Sequence, residues 1–347
     1  MLTWAGLLGG QSLPKRGRIV EDTLHAASLE RNLYGDTPDR LVFVYLPASY
    51  ATNAHRRYPV VYLLHGVDVD ARQWLHMTTQ PFDMRSAMDS LAAAGLVREM
   101  IIVMPDAHTR LGGSFYTNSV AAGNWDDFIA RDVVHFIDAK YRTVARVESR
   151  GLAGHSMGGY GALTIGMRHA GTIFGAVYSM SPCCTHMTAA AGVAMQAAWP
   201  ALASAESTGV MPASPLLRNL IAVSAALSPD ASRPPLFIDL PFVTVDGHTS
   251  VVDSVFRRWL ANTPYDMIHR YGDNLRRLLG LAIEVGKEDE GVSPTEIAEL
   301  DSALSAAGIA HTFTTFDGGH VDHLGVRLTG AVFPFFSRTL VFPKSAT

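Results

Sequence analysis

Cysteine is nearly absent from this chain of 347 residues, which has two, Cys183 and Cys184, side by side. A bridge between neighbours strains the peptide link joining them, so no disulfide framework is expected, and a reducing, cytoplasmic setting fits. Charge is scarce too, at 17% of residues, and 28 Lys and Arg against 32 Asp and Glu leave a net charge of -4. Without a basic stripe, nucleic acid and anionic lipid are not expected partners. No clean run of roughly 20 apolar residues marks a membrane span; the Ala-rich stretch from Met187 to Ala205 is broken by Gln196 and Pro200. The opening MLTWAGLLGG has no basic leader, and Lys15, Arg16 and Arg18 follow it, so no secretory signal is expected. No HxH, HExxH or Cys/His cluster has ligand spacing, and no glycine fingerprint follows the first strand, so neither metal nor organic cofactor is expected.

What is present is apolar material for a large core: 48% of residues are hydrophobic, too many for a disordered chain. Short β-rich runs, at 41–45, 60–64, 101–104, 151–153, 176–178, 281–285 and 312–316, alternate with helical patterns near 81–94, 126–140, 158–169, 294–306 and 321–336. That order predicts an α/β fold with a mostly parallel central sheet, helices on both faces, and strands buried on both sides. Residues 183–274 break the rhythm with Ala-rich and Pro-rich pieces and read as a cap-like insertion. One domain over 1–347, with 1–18 as an N-terminal extension, is the economical description.

The strongest chemical signal is Gly154-His155-Ser156-Met157-Gly158, a G-x-S-x-G turn between a strand and a helix with small residues on its first face. A sharp strand-to-helix turn lifts the Ser156 hydroxyl above the sheet, and flanking glycines permit backbone crowding that a β-carbon forbids. A serine hydroxyl is a weak nucleophile until a base takes its proton. His320, in the Gly319-His320 loop after the run 312–316, is the candidate base. His311 and His323 read as structural or solvated, and His155 as packed beside the elbow. The acid that orients the imidazole belongs in a loop after a strand between serine and histidine, which points to Asp289, with Glu288 and Glu290 as neighbouring alternatives. Oxyanion donors are expected from the Met157 N–H and from the Leu64-His65-Gly66-Val67 turn, at Val67 in preference to Gly66.

Together these residues resemble the esterase D branch of the α/β-hydrolases, which includes S-formylglutathione hydrolases, feruloyl and related carboxylesterases and the antigen 85 mycolyltransferases. The matching pieces, from about Val20 to Leu340, are Val44-Tyr45-Leu46-Pro47, Leu63-Leu64-His65-Gly66 with Trp74, Met104-Pro105-Asp106, Ser114-Phe115-Tyr116, the elbow with Gly159-Tyr160-Gly161-Ala162, Gly286 with Asp289, and Gly319-His320. The long insertion, and an acid turn without aromatic residues, depart from the formylglutathione branch. The resemblance implies an α/β-hydrolase fold and a serine carboxylesterase for short-chain or aryl esters, with Ser156 as nucleophile, Asp289 as acid, His320 as base, and Val67 and Met157 as oxyanion donors. The acyltransferase and thioesterase of the same branch are the alternatives. A small-molecule ester is the expected partner, and a homo-oligomer is left open. The resemblance also implies that the loop Gly113–Asn118 and the stretch Gly123-Asn124-Trp125 lie near the substrate, the alternative being ordinary packing of a long loop. Through Met195, Trp199, Leu236, Phe237, Phe242 and Trp259 the insertion is expected either to form a lid or acyl-pocket wall or to pack as core or a dimer contact.

Overall fold

All seven β-rich runs are strands of one sheet, and an eighth strand joins them at an edge. The computed structural model describes residues 16–343 apart from 78 and 79. The strands are β1 (Arg18–His25), β2 (Asp39–Leu46), β3 (Val60–Leu64), β4 (Ile101–Pro105), β5 (Arg150–His155), β6 (Ala176–Met180), β7 (Gly280–Gly286) and β8 (Thr312–Phe316). They lie in the order β1-β2-β4-β3-β5-β6-β7-β8, with β2 antiparallel to both its neighbours and every other pair parallel.

Alternate side chains of the same strands feed two apolar layers. Phe43, Tyr45, Val61, Leu63, Ile102 and Met104 pack on one face against Met84 and Met88 of α1 (Met84–Ala93) and Leu328, Phe333 and Phe336 of α9 (324–339). Val42, Val44, Tyr62, Val103 and Leu152 pack on the other against Phe128 and Ile129 of α2 (125–140) and Leu163 of α3 (Met157–His169). Each fully buried side chain of this size contributes about 1.5–3 kcal/mol, which is why the runs are continuously apolar. Two helices widen to π-type turns, α2 at Phe128–Val133 and α9 at Leu328–Val332.

The range 183–274 holds α4 (Ala198–Thr208), α5 (Pro215–Leu227), α6 (Asp253–Leu260), α7 (Pro264–Leu275) and a hairpin of Phe242–Val245 with His248–Val251 outside the main sheet. The last of these helices packs against α3 and leads into β7, so it is the crossover helix of the β6-to-β7 unit. Its start is fixed by Thr263, whose hydroxyl accepts from the Asp266 N–H, and by Pro264 at the first helical position. The helix α8 (Pro294–Ala306) begins the same way, with the Ser293 hydroxyl accepting from the Glu296 N–H before Pro294. Of the expected extension 1–18, residues 1–15 lie outside the described residues, and Arg18 opens β1. No helix among the described residues is long and apolar enough to cross a membrane.

Candidate active site

Parallel register brings the functional loops together. His155 pairs with Met180, and Met180 with Glu284, so β5, β6 and β7 end side by side, and Gly286 pairs with Phe316 at the end of β8. The loops beginning at Ser156, Ser181, Lys287 and Asp317 therefore leave the same edge of the sheet.

Ser156 joins β5 to α3 with φ 59° and ψ -118°, a conformation that costs a non-glycine residue on the order of 1–3 kcal/mol. The glycines around it are forced by distance: a β-carbon on Gly154 would lie 2.2 Å from the Gly158 carbonyl oxygen, and one on Gly158 would lie 2.3 Å from that of Leu64. The Ser156 N–H donates to the Met180 carbonyl at 3.0 Å, pinning the turn to β6.

The Ser156 Oγ lies 2.9 Å from His320 Nε2, and His320 Nδ1 lies 2.9 and 3.1 Å from the two Asp289 oxygens. Asp289 Oδ1 also accepts from the N–H groups of Gly291 and Val292, each at 3.0 Å. Burial opposes ionisation of Asp289, but the hydrogen bond and charge of His320, with help from Ser181 and the Val292 N–H, hold its carboxyl below the usual range. The other two acids of the cluster take backbone donors instead, Glu288 from Gly318 at 2.7 Å and Glu290 from His320 at 3.1 Å. His311 sits between Asp301 and the Ile309 carbonyl, and His323 caps α9 in a left-handed conformation.

Val67 and Met157 line the cavity beside Ser156. The Met157 N–H stands at the first helical position, where helix geometry supplies no acceptor, and the Val67 N–H has no protein acceptor among the described residues. A β-carbon on Gly66 would stand 3.6 Å from the Ser156 Cβ, so the Val67 turn runs directly past the serine. That turn is held by His65, which accepts from the Ala107 N–H at 2.8 Å, and by Tyr116, whose hydroxyl donates to the His65 carbonyl at 3.0 Å.

A layer that sequence reading missed lies beneath His320. His155 donates from Nε2 to the His320 carbonyl at 2.9 Å, and its ring lies 4.6 Å from the His320 ring. Burial, with the nearby His320 and Arg327, lowers His155 to about 3, so it stays neutral. Arg327 of α9 reaches the same carbonyl at 3.3 Å and the Ser181 hydroxyl at 3.2 Å while its Nε pairs with Glu284 at 2.7 Å. The second Glu284 oxygen accepts from the Tyr178 hydroxyl at 2.6 Å. The available signal was Glu284 itself, a charge inside the apolar strand Leu281–Val285.

The cavity at Ser156 has a volume of about 470 Å³ and takes its apolar walls from Val67, Phe115, Leu216, Leu220 and Val223. Of the loop 113–118, Phe115 lines it, whereas Ser114, Tyr116 and Thr117 are core residues. The insertion contributes through α5, not through the aromatic residues expected to do so. Trp199 stacks on Phe242 at 4.6 Å and Trp259 donates to the Ser228 hydroxyl, which builds the insertion's own interior, while Phe237 packs on Tyr34 and ties the insertion to the N-terminal part of the chain. A larger cleft of about 1190 Å³ lies at the opposite end of the strands, near Arg57, Arg98, Glu99 and Phe342, and holds no pairing of nucleophile and base.

Comparison with known proteins places this geometry in a family. The family described as Putative esterase matches residues 37–323. Esterase Rv1288 of Mycobacterium tuberculosis is 36% identical over 136 residues, 38% of this chain and 26% of its own length, so the match spans about a quarter of that relative. A solved ferulic acid esterase superposes with a TM-score of 0.65 at 24% identity, covering 95% of this chain and all of that one. S-formylglutathione hydrolase FrmB of Staphylococcus aureus gives a TM-score of 0.58 at 14% identity, covering 93% and 98%. The sheet order and the family match agree, and the chain is a member of the esterase family with an α/β-hydrolase fold.

Proposed function

We propose that this protein hydrolyses carboxylic esters through an acyl-enzyme on Ser156. The observation that carries the proposal is the continuous chain Ser156 Oγ, His320 and Asp289, with contacts of 2.9 Å at each link. His320 Nε2 takes the serine proton as Oγ attacks the ester carbonyl, and the ionised Asp289 stabilises the imidazolium that results. The N–H groups of Val67 and Met157 hold the tetrahedral oxyanion. His320 then protonates the departing alcohol, and water activated by the same imidazole releases the acid.

The cavity of about 470 Å³, with its apolar wall, suits a short acyl chain or an aromatic acid. The likeness to a ferulic acid esterase supports the aryl end of that range. Hydrolysis of p-nitrophenyl esters from acetate to palmitate, with methyl ferulate alongside, tests the assignment. Ser156→Ala is expected to lower kcat by at least roughly 10³-fold. Equal activity in the two proteins refutes the role given to Ser156.

A further inference from the structure

The cavity at Ser156 has acceptors that nothing among the described residues satisfies. Asn219 of α5 and Glu296 of α8 both line it, on walls that come from different parts of the chain. The Oδ1 atom of Asn219 is buried and has no hydrogen-bond partner among the described residues. Buried polar oxygens are almost always paired, so one that faces a ligand cavity without a partner calls for a donor from the ligand.

Glu296 makes the same demand with charge. It follows Ser293 at the spacing of a capping box, in which the glutamate normally turns back to the N–H of the capping residue. Here the Ser293 hydroxyl makes its half of the arrangement, at 3.2 Å from the Glu296 N–H. The Glu296 carboxylate does not make the other half: among the described residues it has neither hydrogen bond nor ion pair, and it faces the cavity. Burial raises its carboxyl above the ordinary value, His186 opposing and Glu299 adding to the shift, as expected for an acid whose counter-charge is missing. Glu290 also lines the cavity, and no Lys, Arg or His is among its lining residues.

From this one-sided lining we infer that the site prefers esters bearing a primary ammonium group on the acyl or alcohol part, held by Glu296 and the Asn219 carbonyl, over neutral esters of equal size, and that it rejects anionic ones. The inference rests on the ester-hydrolase reading of Ser156 and deepens it.

Methyl 4-(aminomethyl)benzoate, methyl 4-ethylbenzoate and monomethyl terephthalate form a cationic, neutral and anionic acyl series; benzyl acetates with the same three para groups form the alcohol series. In at least one series kcat/KM is expected to fall from cation to neutral to anion, by roughly tenfold or more at the first step, less at high salt. Glu296→Gln is expected to bring cation and neutral ester within about threefold, and an unchanged Tm with fluorophosphonate labelling of Ser156 shows that the variant folds. Cation and neutral ester turned over equally in both series, or a preference that survives Glu296→Gln, overturns the inference. Protection of Ser156 from a fluorophosphonate by 4-methylbenzylamine but not by 4-methylbenzoate reads the same preference without turnover. Labelling of Ser156 with no difference between the two sinks the charge preference alone, whereas absence of labelling sinks the ester-hydrolase reading.

Discussion

The two sides of the cavity are built on different principles. On the sheet side, Ser156, Asp289 and His320 stand on loops at the ends of β5, β7 and β8, and the His320 carbonyl is gripped from below by His155 and Arg327. On the other side, α5 presents Leu216, Asn219, Leu220 and Val223 from an insertion in which Trp199, Phe242 and Phe256 pack together. The proton transfer proposed for Ser156 requires the close contacts of 2.9 Å found on the sheet side, whereas the other side needs only a shape. The α5 wall is thus a part of the chain separable from Ser156, Asp289 and His320, whereas Glu296 lines the cavity from α8.

Breaking the grip on the sheet side gives the largest effect. Glu284 and Arg327 have side chains only 6% and 5% exposed, so Arg327→Met leaves a carboxylate without its partner in the interior. The expected loss is about 3–5 kcal/mol in denaturant unfolding. The double variant with Glu284→Leu is expected to recover most of that stability but not all of kcat, because His155 alone then holds the His320 carbonyl and Arg327, its second donor, is still missing. Recovery of both would show that the pair supports only the fold.

His155→Gln is a milder test of the same side. With an ordinary value of 6.5 and a folded value of about 3, His155 binds a proton between these pH values only when the chain unfolds. Stability therefore falls as pH drops through that window, by at most about 1.4 kcal/mol per pH unit from this group. Glutamine can still donate to the His320 carbonyl and does not titrate. Unfolding curves of the variant between pH 6.5 and 4 are expected to be flatter than those of the parent by that slope.

Changes on the α5 side are expected to be the gentlest on the fold. Leu216 is 56% exposed, so Leu216→Ala costs no more than about 0.5 kcal/mol. It is expected to shift the ratio of aryl to long-chain p-nitrophenyl ester turnover by several-fold at unchanged Tm. A large drop in Tm with an unchanged ratio would tie α5 to the frame instead.

The same division decides how much of the molecule could be read from its sequence. β3, β4 and β6 are buried on both faces and announce themselves as unbroken apolar runs, and the elbow follows the buried β5, whereas β8, which leads to His320, is an edge strand of exposed and half-exposed residues. β1, with the sequence RIVEDTLH, is an edge strand with mostly exposed or half-exposed side chains, and no apolar run marks it. The crossover helix α7 was absorbed into the range 183–274 although Thr263 and Pro264 mark its start. The pocket wall was sought among the insertion's large aromatics, yet it is made by Leu216, Asn219 and Leu220, whose helix shows nothing in its sequence about which face meets Ser156. The Glu284–Arg327 pair joins residues 43 positions apart, a separation that carries no local period.

Cys183 and Cys184, first met as too few to staple the fold, both line the cavity at Ser156. They are the only thiols in the chain. Any fluorophore or spin label attached by thiol chemistry therefore lands beside Ser156 and nowhere else, so the protein carries its own address for a reporter of pocket occupancy.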